Sequence, residues 1–188
     1  MRMSQIWKLY ITYTVVLVVC MAGAGLALQG VLRATLTDQL QDEVRTLILV
    51  IARAVPPEDT PASLDPFCRA YQKSTGNRIT VIRRDGLVIG ESNRPSDALD
   101  NHTDRPEFKA ALEHGWATAI RRSGTLGLEM LYMAHLLGDG NRVLRLAVPM
   151  EKVKAMENNI MLLLSIVLYL APLLAVVVSF FMARRLTV

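Results

Sequence analysis

Cysteine is almost absent from this chain: Cys20 and Cys68 are the only two in 188 residues. Cys20 lies in an apolar run and Cys68 in polar sequence, so no intrachain disulfide framework follows. Cys68 is then either a buried thiol or a bridge to a second copy. Aromatic residues make up 6% of the chain, and no basic stripe interleaves with them, which excludes an ordinary nucleic-acid-binding surface. No glycine-rich phosphate loop, zinc-ligand spacing, nucleophile–base pair or supported pair of carboxylates stands out, so nothing points to an enzyme. Charge is missing most completely from residues 160–182, which carry none.

That run is long enough to cross a membrane, which takes about 20 apolar residues for about 30 Å of hydrocarbon. A second run, residues 9–28, is interrupted at its start by Thr12, Tyr13 and Thr14 but is almost wholly apolar from Val15 onward. Ala22-Gly23-Ala24 imitates a leader cleavage site. The apolar run continues past it into an amphipathic pattern, which argues for a retained helix. All 17 acidic residues lie between the two runs. The net charge of +4 comes from Arg2, Lys8, Arg184 and Arg185 at their outer ends. Basic residues beside spans stay in the cytoplasm. The expected organisation is a cytoplasmic N-terminus at 1–8, a transmembrane helix at 9–28, an extracytoplasmic domain at 29–159, a second transmembrane helix at 160–182, and a cytoplasmic segment at 183–188.

Within the outer domain the apolar period changes from helix to strand and back. Leu32, Leu36, Leu40, Val44, Leu47, Ile51 and Val55 recur mostly in steps of four, one stripe of a helix that continues the first span. Pro56-Pro57 ends it. A short helix is expected around residues 66–74. Residues 78–83 and 87–91 then flank Asp85-Gly86, a hairpin signal in which both turn positions take positive φ. Asp104 with Glu107 suggests a capping box before a helix at 106–114, which Gly115 ends. Strand-like runs at 117–122, 128–137 and 142–149 are separated by tight turns at 124–127 and 138–141. The sum is an α+β domain with a long N-terminal helix and a five-stranded antiparallel sheet. One sheet face packs on the leading helix and the other is open to a ligand. After Pro149, Val153, Met156, Ile160, Leu163 and Val167 return to steps of three and four, the spacing of a coiled-coil seam. Pro172 lies within the second span as a tolerated proline or a signalling hinge.

Four stretches carry a resemblance. They are Arg78-Ile79-Thr80-Val81-Ile82 with Asp85-Gly86, and Asn101-His102-Thr103-Asp104-Arg105-Pro106-Glu107. Thr125-Leu126-Gly127-Leu128-Glu129-Met130-Leu131-Tyr132 and Leu144-Arg145-Leu146-Ala147-Val148-Pro149 follow. In this order between two spans, the chain resembles the sensor half of bacterial two-component histidine kinases, of the phosphate-regulon and cell-wall type. The resemblance implies a PAS-like fold (PDC or single Cache) for the outer domain, and the start of a HAMP linker at Arg184-Arg185-Leu186-Thr187. It implies a bacterial inner-membrane location and a response regulator as partner through the parent chain. No histidine falls on a cytoplasmic helix, since His102, His114 and His135 all lie between the spans. The segment itself is therefore expected to use no cofactor, with ATP and Mg belonging to an absent kinase domain. A chemoreceptor or cyclase sensor shares this layout, and a two-span envelope adaptor without cytoplasmic output is the alternative from another class.

Asn101, His102, Arg105 and Tyr132 are the candidate ligand contacts. The loop carrying the first three is polar and borders the open sheet face, where Arg105 suits a carboxylate or phosphate; the bland alternative is that Asp104, Arg105 and Glu107 only cap the helix. Tyr132 offers a ring and a hydroxyl, or is plain core. Asp97, Asp100, His102 and Asp104 have metal-ligand chemistry but equally suit a solvated loop. His135 is a pH-sensitive group or an ordinary histidine. Arg83-Arg84 and Arg121-Arg122 are solvated strand ends or contacts to an anion or lipid headgroups. Leu36, Leu40, Val44, Leu47, Val153, Met156 and Ile160 together predict a parallel homodimer. The stimulus is a small molecule, an envelope protein or an envelope condition.

Overall fold

A computed structural model describes residues 5–123 and 127–186. The expectations for Arg2, the 124–126 turn and Thr187 lie outside the described residues, as do the side chains of Lys8, Met156, Arg184 and Arg185. Helix α1 spans Gln5–Ala52 and α2 spans Pro61–Thr75. Strands β1 (Arg78–Arg83) and β2 (Val88–Glu91) precede α3 (Pro106–His114). Strands β3 (Trp116–Arg122), β4 (Glu129–Leu136) and β5 (Arg142–Pro149) lead to α4 (Glu151–Leu186). All pairings are antiparallel, in the order β2-β1-β5-β4-β3. The chain divides into two units, residues 38–152 and a helical unit of residues 1–37 with 153–188.

The helical unit is the ends of α1 and α4. Each helix carries a stretch long and apolar enough to cross a membrane, and none of either stretch is buried. Leucine, valine and isoleucine exposed along Val15–Val19 and Leu162–Leu174 would be costly in water at about 25 cal/mol per Å². In lipid they cost nothing, while the helix satisfies its own backbone. Gly25 faces the Leu168 side chain, where an added Cβ would lie 3.5 Å from it. Helix α4 continues through Pro172.

The sheet domain is built around alternation. Ile79, Val81, Leu131, Met133, Leu144 and Leu146 are fully or almost fully buried, and the strand register sets them on one face. The C-terminal part of α1 covers that face, where Ile48 and Leu49 share a small cleft with Met133 and His135. The Arg45 guanidinium lies 4.3 Å from the Trp116 ring centre. Val44, Ile48 and Ile51 are at most 2% exposed, each worth roughly 1.5–3 kcal/mol on burial. This corrects one expectation. Val44 is core within its own chain and is closed to a dimer seam, whereas Leu36, Leu40 and Leu47 keep partial exposure. The buried stripe also includes Ile48, one residue beside Leu47.

Helix α2 packs on β2 through Gly90, where a Cβ would come within 2.7 Å of Leu64 Cβ. Cys68, beside it, is fully buried. That decides for the thiol over a bridge to a second copy. Burial first, then the Glu91 and Asp65 carboxylates, push this thiol up to about 12. On the opposite face, Phe108 and Ala111 of α3 pack with Ile82, Ala134 and Val143.

Two local expectations are corrected. At Asp85-Gly86 only Gly86 has positive φ. Gly86 N–H donates to Arg83 O and Arg83 N–H to Leu87 O, both at 2.8 Å. This is a three-residue loop that ends in a left-handed glycine, so Asp85 avoids the strain of that region. The capping box does not form either: Arg105 occupies the N-cap of α3, and no side chain caps it. Glu107 turns instead into the sheet, toward two arginines.

Candidate functional site: a cationic cleft on the sheet

Strand alternation places Arg78 and Thr80 of β1, Arg121 of β3, Tyr132 of β4 and Arg145 of β5 on the face away from α1. The register confirms the neighbourhood: Thr80 pairs with Arg145, and Ala147 lies between Arg78 and Tyr132. Five guanidiniums, from Arg78, Arg94, Arg105, Arg121 and Arg145, line a cleft of about 140 Å³ with Asp100, His102, Ser123 and Tyr132.

Two buried carboxylates organise its floor. Glu91 accepts from Arg78 through Nε and Nη2, both at 3.0 Å, and from Thr80 Oγ1 at 3.0 Å. Glu107 accepts from Arg121 at 2.8 and 3.3 Å and from Arg145 Nη1 at 3.3 Å. Burial alone would raise both carboxyls. Fork-shaped hydrogen bonds from Arg78 to Glu91, and from Arg121 to Glu107, outweigh it and hold both below the usual range. Tyr132 is sandwiched electrostatically, with the Arg121 guanidinium 4.0 Å and the Arg145 guanidinium 5.5 Å from its ring centre.

The cleft is nonetheless left short of acceptors. Arg145 is 2% exposed. Its Nη1 reaches Glu107 and its Nη2 reaches Thr80 Oγ1 at 3.3 Å, but its Nε has no partner among the described residues. Burial, with Arg78 nearby, pulls its pKa down to about 10 against the pull of Glu107 and Glu91, so it stays charged at neutral pH. His102 Nδ1 is likewise buried and unpartnered. Burial and the charges of Arg145, Arg105 and Arg78 push this imidazole down to about 4, so it is neutral.

The loop over the cleft is fixed by short hydrogen bonds. Asp65 on α2 accepts Glu91 N–H at 2.9 Å and Ser96 N–H at 3.2 Å. His102 N–H donates to Gly86 O at 2.8 Å. Asn101 Nδ2 donates to Asp85 O at 2.9 Å, and its Oδ1 accepts Thr103 N–H at 2.8 Å. A side chain at Gly86 would strike Asn101 and come within 2.8 Å of Thr103 N.

Of the four expected contacts, His102, Arg105 and Tyr132 meet in the cleft, and Asn101 does not. Its amide staples the loop to the β1–β2 turn. Asp100 also lines the cleft, but among the described residues no group of three or more such donors converges as a metal site. Arg121 is a cleft residue, whereas Arg122 donates to Gly127 O, Arg83 pairs with Asp85, and Arg84 donates to Gly140 O. Arg78, Arg94 and Arg145 were not foreseen. The available signal was Arg145 itself, a charge in the middle of the apolar run Leu144–Val148.

No family model matches the chain, and no curated protein does. Among solved structures it is similar to the extracellular domain of rpHK1S-Z16, described as a candidate histidine kinase, at 20% identity and a TM-score of 0.52. That match covers 70% of this chain and 58% of the other, so the chain spans somewhat over half the length of that structure. It is also similar to a methyl-accepting chemotaxis protein from Vibrio parahaemolyticus RIMD 2210633, at 15% identity, a TM-score of 0.47, and coverage of 64% and 95%. The first likeness places the α+β fold of this chain beside that of an extracellular domain.

Proposed function

We propose that this chain is the sensor portion of a transmembrane signalling protein, with a PAS-like outer domain whose open sheet face receives the stimulus. The observation that carries the reading is covalent. Strand β5 brings Arg145 into the cleft, and after Met150 the chain enters α4, which is apolar and long enough to cross a membrane. A change in the cleft has a one-residue path from sheet to spanning helix. The fold shared with an extracellular domain supports the same reading.

In this reading both termini are cytoplasmic, by the flanking Arg2, Lys8, Arg184 and Arg185. The membrane is the bacterial inner membrane, and a HAMP linker begins at Arg184. A histidine kinase of the parent chain, using ATP and Mg, passes the signal to a response regulator. Two copies form a parallel dimer through Leu36, Leu40, Leu47, Val153, Met156 and Ile160. The stimulus shifts that bundle between two packings, with Pro172 as the place where α4 gives. A stimulus drives the shift only by favouring one packing over the other.

Disulfide crosslinking tests this. With Cys20 replaced by Ser, a cysteine at position 153 should crosslink copies efficiently in membranes, and Arg105→Glu in the cleft should alter the rate. No crosslinking would remove the parallel bundle, and a rate insensitive to the cleft would remove the coupling.

A further inference from the structure

We propose that the cleft binds a compact oxyanion, a carboxylate or phosphate group, whose oxygens take the donors of Arg145, His102 and Arg105. The proposal deepens the sensor reading and rests on it for its biological meaning, but binding itself can be tested alone.

Charge is the first argument. Five guanidiniums line the cleft against one lining carboxylate, Asp100, and the two beneath, Glu91 and Glu107. Two positive charges remain when the three acids are set against the five bases. Arg94 and Arg105 make no ion pair with a carboxylate among the described residues, and both face the cleft. Exposed surplus charge is cheap, but here part of it sits on Arg145, which is almost fully buried. A buried cation without full compensation is costly, and an anion relieves it.

Unused hydrogen-bonding capacity is the second, independent argument. Arg145 Nε and His102 Nδ1 belong to residues that line the cleft, are themselves buried, and have no hydrogen-bond partner among the described residues. An unmade hydrogen bond of this kind costs about 1–3 kcal/mol. Such groups are rare in folded proteins and usually mark a site completed by something else. A neutral imidazole carries one N–H, so His102 can donate to an oxyanion without itself being charged. Tyr132, with guanidiniums 4.0 and 5.5 Å from its ring centre, lines the cleft beside them.

Size is the third. At about 140 Å³ the cleft lies well below the roughly 300–1,000 Å³ of sites for drug-sized ligands. It holds the volume of a few waters at ~30 Å³ each. That volume matches an inorganic oxyanion or the charged end of a short dicarboxylate.

Isothermal titration of the full chain in lipid nanodiscs, with inorganic phosphate and separately with succinate, tests the proposal. We expect one saturable site per chain with a Kd of ~1 mM or tighter. Phosphate alone binding would identify a phosphoryl ligand, and succinate alone a carboxylate; either supports the proposal. Arg105→Gln, at the rim and outside the buried pairs, should weaken binding at least tenfold with an unchanged melting profile. Arg94→Gln provides a second rim variant should Arg105→Gln fail to fold. Absence of saturable binding by both anions overturns the proposal, as does binding that a folded rim variant leaves intact. Anion binding without any change in crosslinking at position 153 would instead count against the sensor reading and leave the site standing.

Discussion

Arg145 and Glu107 meet at 3.3 Å, with 3% and 0% of their side chains exposed. One belongs to the strand that leads into α4 and the other to the first turn of α3. Arg121 shares the same carboxylate from the edge strand. Three elements thus converge on one buried negative charge, and the cleft above it inherits the unspent positive charge.

Glu107→Gln should therefore destabilise the sheet domain by about 3 kcal/mol. Removing one partner of a buried pair leaves the other charge uncompensated, at a typical cost of 3–5 kcal/mol. Here Arg121 recovers part of that by turning toward solvent, since its side chain is 24% exposed. Urea denaturation followed by circular dichroism measures the loss. A change below about 0.5 kcal/mol, the level of an ordinary surface substitution, would mean that Glu107 is not the anchor of the floor.

Stability should fall on the acid side in two stages, and His102 causes the first. Its folded pKa of about 4 lies below the ordinary value of 6.5, because burial and then Arg145, Arg105 and Arg78 oppose its charge. The unfolded chain therefore takes up a proton first. The contribution is fully present above pH 6.5 and is lost as pH falls toward 4, reaching roughly 3 kcal/mol there. Glu91 and Glu107 have folded values below 4.5. Their contribution is present above that value and is lost as pH falls through the lower ones. His102→Gln should flatten the profile between pH 6.5 and 4 while leaving the steeper loss below it. Identical profiles for the two proteins would exclude His102 as the cause.

The fold was more legible than the site, and particular residues show why. The tight turn at 138–141 set off the strand-like run 142–149, and Gly115 marked the end of α3, because turn residues and a left-handed glycine are local signals. Apolar length without charge marked the stretches of α1 and α4 that are long and apolar enough to cross a membrane. The cleft depends on which strands are neighbours. Arg78, Arg121 and Arg145 are far apart in sequence, and only the order β1-β5-β4-β3 gathers them. Glu107 misled for the same reason: its spacing from Asp104 suits a cap, but two arginines across the sheet, the buried Arg145 and the partly exposed Arg121, offer its carboxylate more than a backbone N–H does. Asn101 shares a polar loop with His102, yet their side chains separate because one bonds the β1–β2 turn. The stripe on α1 was real, and the alternation could not say whether sheet or second copy covers it; Val44 goes to the sheet.

Gly90→Ala tests how tightly α2 is docked. The added methyl would lie 2.7 Å from Leu64 Cβ and 3.3 Å from Cys68 Sγ. Leu64 Cβ is fixed to the helix backbone, so α2 or β2 has to shift. Overpacking of this kind costs typically 1–3 kcal/mol. Because Asp65, next to Leu64, holds the loop through Ser96 N–H, the same variant should also weaken anion binding. A thermal melt and a phosphate titration of one sample read both effects. Full stability in Gly90→Ala would show that α2 stands farther from the strand.

Cys68 should be chemically silent in the folded protein. The thiolate is the reactive form, and burial with two nearby carboxylates pushes the Cys68 pKa up to about 12. With Cys20 replaced by Ser, the folded chain at pH 8 should resist a thiol reagent such as Ellman's and form no disulfide-linked dimer on oxidation. Labelling should then occur only as fast as the domain opens. Adding urea should release one thiol per chain, and Gly90→Ala, by loosening α2, should speed labelling under native conditions. Rapid labelling of the unaltered domain would place Cys68 at the surface and reopen the bridge to a second copy. Slow labelling in the parent and faster labelling in Gly90→Ala would tie the buried thiol to the same contact that seats α2 on β2.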